Sequence, residues 1–307
     1  MKMKDIHLRD PYILTDDGKY YMYGTRMNAE RFKELGYGFD VYESDDLENW
    51  EESVAFAPPA GFWGDLDFWA PEVHKYKGKY YMFASFYRKD KSINRGTQIL
   101  VSDSPKGPFV PHSDGAVTPS DWMCLDGTLY VDKNDKPYMV FCHEWVQIRD
   151  GEMCIMPLTD DLRAAAGEPK TIFKASEPSW SNGYKADWLL DAVSIPAENS
   201  TAKITETKCY VTDGPFLYRT KGGRLLMTWS SFSGGAYCVG LAYSDNGEID
   251  GNWIHDDRML FEADGGHGMI FETDGKLYFT YHQPNNAPLE RPHFVEIEEK
   301  DDTLFVK

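Results

Sequence analysis

Five stretches of the chain share one arrangement of polar and apolar positions. Each begins with a polar turn that contains Gly or Asn, and a run of aromatic and aliphatic residues follows the turn. The stretches start at residues 15, 75, 131, 219 and 272 and read TDDGKYYMYGT, KYKGKYYMFAS, VDKNDKPYMVFC, RTKGGRLLMTWS and ETDGKLYFTYH. A polar turn that leads into such a run is typical of a β-hairpin.

A second pattern follows the first four of these stretches. It consists of an alternating strand pattern and then a turn with Ser or Thr before Asp, and it starts at residues 38, 96, 151 and 237. Each repeat therefore supplies about four short strands. The repeats start 60, 56, 88 and 53 residues apart. The one long interval predicts an insertion between the third and fourth repeats.

The repeats predict an all-β fold, a five-bladed β-propeller. Apolar residues at helical spacing are scarce, and only 28–36 and 159–167 predict short helices. Four-stranded units that recur with almost no helix between them are typical of radial repetition. We therefore expect residues 1–307 to form a single domain with an insertion at about 177–206. The fifth repeat lacks an edge strand, which we expect the N-terminus to supply.

The composition narrows the choice of partners. The chain has 9 Trp, 19 Tyr and 17 Phe, and flat aromatic side chains suit both a pleated β-surface and stacking on sugar rings. Its net charge of −18 would repel nucleic acid and anionic membrane surfaces. We therefore expect neither nucleic acid nor a membrane as a partner.

The cysteines and the apolar runs bear on the cellular compartment. Five Cys residues occur without a C-x-x-C pair, so reduced and mostly buried thiols are expected. The first residues, MKMKDIHLRDPYIL, contain no apolar stretch suited to a signal peptide, and no run approaches the ~18 apolar residues of a membrane span. The sequence predicts a cytoplasmic location, or a secreted one if an upstream signal has been removed.

Carboxylates recur at the start of the first strand of the repeats. Asp10, Asp126 and Asp213 precede the strands of the first, third and fourth repeats, while Glu72 and His267 occupy the matching places in the second and fifth. Taken singly, an Asp before Gly or Pro commonly just caps a turn. Because the first strand of each blade lines the central channel, however, we expect these five groups to converge at one mouth of that channel.

These motifs resemble those of glycoside hydrolase family 43, the five-bladed propeller arabinofuranosidases, xylosidases and related enzymes. The matching strings, which span almost the whole chain, are RDPYI, FWAPEVH, LDGTLYVD, DGPFLY, GHGMI and HQPNNAPLERP. The resemblance implies an inverting glycosidase in which Asp10 is the general base and Asp126 orients the general acid and raises its pKa. Such enzymes hold their two carboxyl groups ~6.5–9.5 Å apart.

The chain departs from this family at Asp213. The family's general acid is usually Glu in an E-G-P string, and here the string is TDGP, with a side chain one methylene shorter. Three interpretations follow. Asp213 is the acid in a site reshaped to suit it, or Glu144 reaches in from the third repeat, or the chain only binds carbohydrate and turns it over weakly or not at all.

Several further residues are candidates for contact with the sugar. They are Trp69, Glu72, His143, Trp145, Trp180, His267 and Arg291. Trp69 belongs either to the blade core or to a platform for sugar rings, and we expect it to face the channel mouth. His143 and Trp145 flank Glu144, and a polar triple at this place is hard to bury unless it has a role in the site. Arg291 either holds a hydroxyl or tunes a pKa among the acids, or it closes the ring of blades by a salt bridge.

The insertion carries Trp180, Tyr184 and Trp188, so it is too aromatic for disorder. We expect it to form one wall of the substrate pocket. No cofactor is required for glycoside hydrolysis. The resemblance allows a structural calcium ion near His267, although no Asp, Asn and Gly spacing of an EF-hand supports one.

The sequence thus predicts an inverting glycoside hydrolase that acts on oligosaccharides derived from plant polysaccharides and releases arabinofuranose or xylose. The second hypothesis is a non-catalytic or weakly active carbohydrate-binding propeller. A third is a propeller scaffold for protein partners, which would be expected to leave the channel mouth without clustered acids.

Overall fold

The computed structural model describes residues 1–185 and 208–307. Five four-stranded sheets follow one another along the chain, and the strands of each sheet are hydrogen-bonded in sequence order or its reverse. Neighbouring strands within each sheet are antiparallel. The predicted five-bladed β-propeller is confirmed.

The first three blades run to residue 174. Blade 1 contains β1 (Leu8–Asp16), β2 (Lys19–Arg26), β3 (Phe39–Ser44) and β4 (Glu51–Phe56). Blade 2 contains β5 (Leu66–Tyr76), β6 (Lys79–Tyr87), β7 (Gly96–Ser102) and β8 (Val110–Ala116). Blade 3 contains β9 (Cys124–Val131), β10 (Pro137–His143), β11 (Glu152–Pro157) and β12 (Lys170–Lys174).

The remaining strands form a short ribbon and two further blades. The ribbon pairs β13 (Tyr184–Lys185) with β14 (Lys208–Cys209). Blade 4 contains β15 (Asp213–Arg219), β16 (Leu225–Ser233), β17 (Ala236–Ser244) and β18 (Trp253–Phe261). Blade 5 contains β19 (Ile270–Thr273), β20 (Lys276–Gln283), β21 (Arg291–Lys300) and β22 (Thr303–Val306).

The edge strand of blade 5 comes from the C-terminus, so the prediction that the N-terminus supplies it is wrong. Strand β22 pairs with β21. The N-terminal residues lie against blade 1 instead, where Lys2 pairs with Asn49 and the amino group of Met1 donates to the carbonyl of Trp50 at 2.6 Å. Residues Thr303–Val306 extend the hairpin as its last strand, so blade 5 has four strands without a contribution from the N-terminus.

Helices are short, as expected. Helix α1 (Ala29–Leu35) lies in the predicted range and begins where Asn28 accepts hydrogen bonds from the two amides that follow it in the first turn. Helix α2 (Trp145–Ile148) directly follows Glu144. The helix predicted at 159–167 is wrong, because the hydroxyl of Thr159 accepts from backbone amides and holds the segment in turns.

The predicted insertion is only partly covered by the structure. Residues 177–185 are described, whereas 186–206, including Trp188, lie outside the described residues. The bounds of the domain and of the insertion stay predictions.

A left-handed residue recurs in or directly before the inner strand of each blade. The five residues and their φ values are Asp10 (57°), Ala70 (47°), Asp126 (55°), Gly214 (51°) and His267 (47°). Their spacing along the chain reproduces the intervals of the sequence repeat. In blades 1 to 4 the strand register shifts at this point, as at a β-bulge.

This register corrects two of the predicted equivalences. The residue of blade 2 that matches Asp10 is Ala70, two residues before Glu72. In blade 4 the matching residue is Gly214, so Asp213 stands one residue earlier than expected. The polar groups therefore do not all occupy one equivalent position, although the repeat itself is real.

The amide of the left-handed residue is bonded to the preceding blade at all five junctions, and at four of them the acceptor stands at the same place in the repeat. The pairs are Asp10 N with His282 Nδ1 at 3.3 Å, Ala70 N with Thr25 Oγ1 at 2.8 Å, Asp126 N with Ser85 Oγ at 2.9 Å, and His267 N with Ser230 Oγ at 2.8 Å. Each acceptor is the last residue of one of the repeated sequence stretches. At the fifth junction that residue is Cys142, and the Gly214 amide donates to the Oδ2 atom of Asp126 at 3.0 Å.

Hydrophobic side chains fill the spaces between neighbouring blades. The cluster around blades 1 and 2 contains the rings of Phe39, Phe56 and Phe86, which are fully buried. All five cysteines are buried and unpaired, which agrees with the expected thiols. Among the described residues, no helix is long and apolar enough to cross a membrane.

The bonds between blades yield a test of the fold. Ser85→Ala leaves the buried amide of Asp126 without its acceptor, so the free energy of unfolding should fall by about 1–3 kcal/mol. The measurement is urea unfolding followed by tryptophan fluorescence. Ser120→Ala, at an exposed serine, is the control and should change the unfolding free energy little. Equal effects of the two substitutions would show that the bond between the blades does not stabilise the ring.

Candidate active site

A cavity of about 450 Å³ lies at the mouth of the channel and is lined by residues from several blades. The carboxyl groups in its wall belong to Asp10, Asp126, Glu144, Asp213 and Glu290. The structure therefore brings together all four residues that the sequence singled out for catalysis. The cavity is also lined by His267, Trp69 and Trp145, three of the residues for which the sequence predicts contact with the sugar.

Asp10 is held as a carboxylate by its neighbours. Its Oδ2 accepts from the hydroxyl of Thr25 at 2.7 Å, and its Oδ1 lies 3.2 Å from His267 Nδ1 and 3.4 Å from Arg9 Nε. Burial alone would raise the pKa of Asp10, but the charges of His267, Arg9 and His282 and the Thr25 hydrogen bond together lower it. A carboxyl that stays ionised can accept a proton from water.

Asp126, on blade 3, interacts electrostatically with Asp10 of blade 1 and with Asp213 of blade 4. Its Oδ2 accepts from the Gly214 amide at 3.0 Å and lies 3.7 Å from His267 Nδ1. Burial and the charge of Asp10 raise the pKa of Asp126 well above its usual range. The bond from Gly214 fixes Asp126 beside the start of β15, and hence beside Asp213.

Asp213 has the electrostatics of a proton donor. Its Oδ2 accepts from the hydroxyl of Tyr237 at 3.0 Å. Burial and the negative charge of Asp126 raise the pKa of Asp213 to about 7. Two neighbouring carboxyls in a buried site do not both ionise readily, so the Asp126–Asp213 pair retains a proton near neutral pH.

Glu144 is engaged by a guanidinium. It is buried and forms an ion pair with Arg95, whose other terminal nitrogen bonds to Asp67 Oδ2 at 2.6 Å. The guanidinium also lies over the ring of Trp69 at 4.4 Å and that of Tyr87 at 5.0 Å. Burial raises the pKa of Glu144, while Arg95 counters that shift. Protonating Glu144 would break this pair.

Glu72 and His143 do not line the cavity. The Oε2 atom of Glu72 lies 3.3 Å from His74 Nε2, on the same strand β5. The ring of His143 stacks on Trp122 with centroids 4.2 Å apart, and its Nε2 lies 2.9 Å from Gln147 Oε1. Both side chains are buried among protein groups, and this placement corrects the prediction that they contact the sugar.

Trp180 belongs to the core, so the prediction that it walls the pocket is wrong. Its side chain is buried against Trp229, with ring centroids 5.0 Å apart, and its indole N–H donates to the carbonyl of Asp256 at 3.2 Å. The six-membered ring covers Gly240, where a Cβ atom would come within 1.9 Å of it. Aromatic content alone did not reveal which side of the segment faces the protein.

Arg291 is also placed elsewhere. Its guanidinium donates to the carbonyls of Lys4, Leu289 and Glu290 and contacts His7 Nε2 at 2.9 Å. It thus ties blade 5 to the N-terminal segment through carbonyl groups and an imidazole, without the salt bridge that the sequence suggested. It does not line the cavity.

Three charged residues that line the pocket were not among the candidates predicted from the sequence. They are Arg9, Arg95 and Glu290. Arg9 donates to Asn285 Oδ1 at 2.6 Å and to Glu290 Oε1 at 3.2 Å. Its position directly before Asp10, in the string RDPYI, is the one signal that could have identified it. Glu290 likewise stands in a quoted string, HQPNNAPLERP, whereas Arg95 stands in none.

The described residues offer no ligand set for a metal ion. Within residues 1–185 and 208–307, no group of three or more His, Cys, Asp or Glu side chains is arranged to hold one. His267 Nδ1 lies 3.2 Å from Asp10 Oδ1 and 3.7 Å from Asp126 Oδ2, at distances that allow an interaction between charges.

The family profile described as Glycosyl hydrolases family 43 matches residues 4–297. The crystal structure of endo-arabinase from Bacteroides thetaiotaomicron VPI-5482 is 39% identical, covers 99% of this chain and 98% of its own, and superimposes with a TM-score of 0.85. The extracellular endo-alpha-(1->5)-L-arabinanase 1 of Bacillus subtilis (strain 168) is 23% identical over 72% of this chain and 70% of its own. A xylosidase/arabinosidase of Bacteroides ovatus is 29% identical over 69% of this chain and 77% of its own.

The coupling between the two central acids can be measured directly. In Asp126→Asn the neighbouring negative charge is gone, so the pKa of Asp213 should fall from about 7 toward the usual Asp range. The measurement is a carboxyl-carbon NMR titration, with Asp213→Asn as the control that identifies the resonance. A titration near neutral pH that is unchanged in Asp126→Asn would contradict the coupling.

Proposed function

This chain belongs to glycosyl hydrolases family 43, and we propose that it cleaves glycosidic bonds with inversion, using Asp10 as general base and Asp213 as general acid. The observation that carries the proposal is the opposite protonation of two carboxyls in one pocket. The pKa of Asp10 is lowered and that of Asp213 is raised to about 7. A carboxylate and a carboxylic acid that coexist near neutral pH are what an inverting glycosidase requires.

The proposed reaction is a single displacement at the anomeric carbon. Asp10 takes a proton from water, and the water oxygen forms the new bond to the anomeric carbon. The bond from that carbon to the glycosidic oxygen breaks, its electron pair goes to the oxygen, and Asp213 gives its proton to the same oxygen. Asp126 keeps that proton on Asp213 in the ground state, because its negative charge disfavours a second carboxylate beside it.

Asp213 is a better candidate for the acid than Glu144. The ion pair with Arg95 stabilises the charged form of Glu144, and a general acid must arrive with its proton. Asp213 has no such partner in the described structure and instead lies beside Asp126. The shorter side chain of Asp, compared with the Glu usual in this family, requires the leaving oxygen to approach β15 closely.

The substrate is proposed from the relatives and from the pocket. The relatives named above act, by their names, on arabinan, on arabinosides and on xylosides. We propose oligosaccharides derived from plant arabinan as the first choice, with release of arabinofuranose, and xylo-oligosaccharides, with release of xylose, as the second. The indoles of Trp69 and Trp145 offer apolar faces for sugar rings.

A carbohydrate-binding propeller with little or no turnover is the second candidate. The observation that favours it is the shorter acid at position 213. A binding protein would retain affinity for the same sugars when the acids are neutralised, whereas an enzyme would lose turnover.

The roles of the acids can be separated by matched amide substitutions. Asp10→Asn and Asp213→Asn should each lower kcat on arabino-oligosaccharides by ~10²-fold to 10⁴-fold, because each removes one proton-transfer group. Glu144→Gln should lower kcat less. Product release is measured by chromatography, and the anomer first formed is read by NMR. Retained turnover in Asp10→Asn, or a larger loss in Glu144→Gln than in Asp213→Asn, would contradict these roles.

The pH dependence follows from the direction of the two shifts. Asp213 must carry its proton, so kcat/KM should fall as the pH rises through about 7. Asp10 must be ionised and its pKa is lowered, so the acidic limb should lie below the ordinary Asp value of ~3.9. A profile of kcat/KM between the limits of protein stability checks both. Activity that rises through neutral pH would exclude Asp213 as the acid.

A further inference from the structure

We infer that Tyr237 is a positioning residue for the general acid, because its hydroxyl occupies one oxygen of Asp213 and leaves the proton on the other. This inference rests on the proposed function. It concerns the first residue of the fourth copy of the second sequence pattern, for which the sequence predicted a strand but no role in the site. Its basis is a buried contact, the rigidity of the ring and the direction of one hydrogen bond.

The contact is direct. The Tyr237 hydroxyl donates to Oδ2 of Asp213 at 3.0 Å. Because Oδ2 accepts this bond, the proton of the neutral carboxyl resides on Oδ1. The torsion of an Asp carboxyl is broad and its two oxygens are otherwise equivalent. The hydroxyl removes that equivalence, and this matters more for an acid with a short side chain.

The ring of Tyr237 has no room to move. It is fully buried, and it lies against His282 at 5.6 Å between centroids and against Phe232 at 5.2 Å. A Cβ atom at Gly266 would come within 2.8 Å of its Cε1. The glycine therefore permits this close fit, and the fit holds the hydroxyl in place.

The hydrogen bond runs in one direction. Burial and the charge of Asp213 raise the pKa of Tyr237 well above its usual range, so the phenol keeps its proton. As Asp213 gives its proton to the glycosidic oxygen, Oδ2 gains negative charge and the bond from the hydroxyl strengthens. The bond therefore stabilises the transition state more than the ground state.

The other charged groups around Asp213 act on it from different blades. Asp126 of β9 raises its pKa, while His267 and Arg9 lower it. The hydrogen bond from Tyr237 also lowers it. Removing the hydroxyl should accordingly raise the pKa of Asp213 further and move the alkaline limb of the pH profile to higher pH.

The test is Tyr237→Phe, assayed on two aryl arabinofuranosides and on an arabino-oligosaccharide. Dinitrophenolate leaves with little help from an acid, whereas phenolate and a sugar alcohol need a proton. We expect kcat to fall ~10-fold to 100-fold on the phenyl glycoside and the oligosaccharide. On the dinitrophenyl glycoside it should fall less than ~3-fold, with KM nearly unchanged on all three.

Tyr218→Phe is the matched control. Tyr218 lies on the same blade as Tyr237, and its hydroxyl donates to Glu299 Oε2 of blade 5 at 3.0 Å, away from the cavity. The substitution therefore also removes a bond between Tyr and a carboxylate. It should not discriminate between leaving groups. Equal losses on all substrates in Tyr237→Phe, no loss at all, or an alkaline limb that stays in place would overturn the inference.

A titration separates this inference from the proposed function. If the natural chain hydrolyses none of the substrates, or if Asp213→Asn retains full turnover, the proposed function fails. If the chain is active, Asp213→Asn is inactive and Tyr237→Phe behaves like the control, only the role of Tyr237 fails. The carboxyl-carbon titration of Asp213 in Tyr237→Phe adds a readout without turnover, because its pKa must rise.

Discussion

The site depends on a left-handed residue at the inner strand of each blade and on the bond made by its amide. A non-glycine residue in this conformation costs ~1–2 kcal/mol, and three of the five are the pocket residues Asp10, Asp126 and His267. A buried amide that donates to the neighbouring blade offsets that cost and fixes the conformation. In blades 1 to 4 the strand register also shifts at this residue, as at a β-bulge, which bends a strand locally. Closure of the ring and presentation of the side chains thus have a common cause.

The proposed proton donor lies at the one junction between blades where the acceptor of the repeated hydrogen bond is different. Cys142 stands at the position where other blades offer a hydroxyl or an imidazole, and a thiol is a weak acceptor. The amide of Gly214 is then available to the carboxylate of Asp126. Glycine at this point also makes room for the His267 ring, which a Cβ atom would approach within 2.7 Å. One junction between blades is therefore closed by a bond to the carboxylate of a residue that we propose to act in catalysis.

The sequence predicted the features that repeat, because the repeat is a backbone property. Asp10, Asp126 and His267 could be brought together from spacing alone, since each occupies the same place in its blade. Tyr237 opens one copy of the second pattern and Arg95 directly precedes another, but that pattern predicts a strand without indicating which side chains face the pocket. Trp180 and Arg291 were misplaced for a different reason. Their residue types suit both a sugar site and a core or loop contact, and the neighbours that decide between these roles are distant in sequence.

The pocket separates an acid from a base by the placement of its two guanidinium groups. Arg9 contacts Asp10 and Glu290, and Arg95 is paired with Glu144. These contacts favour the ionised form of the acids that they touch. Within the described part of the chain, neither Asp126 nor Asp213 forms an ion pair with an arginine or a lysine, and the two lie beside each other. The proton that remains in the pocket near neutral pH therefore resides on this buried pair, where burial and neighbouring negative charges raise both pKa values.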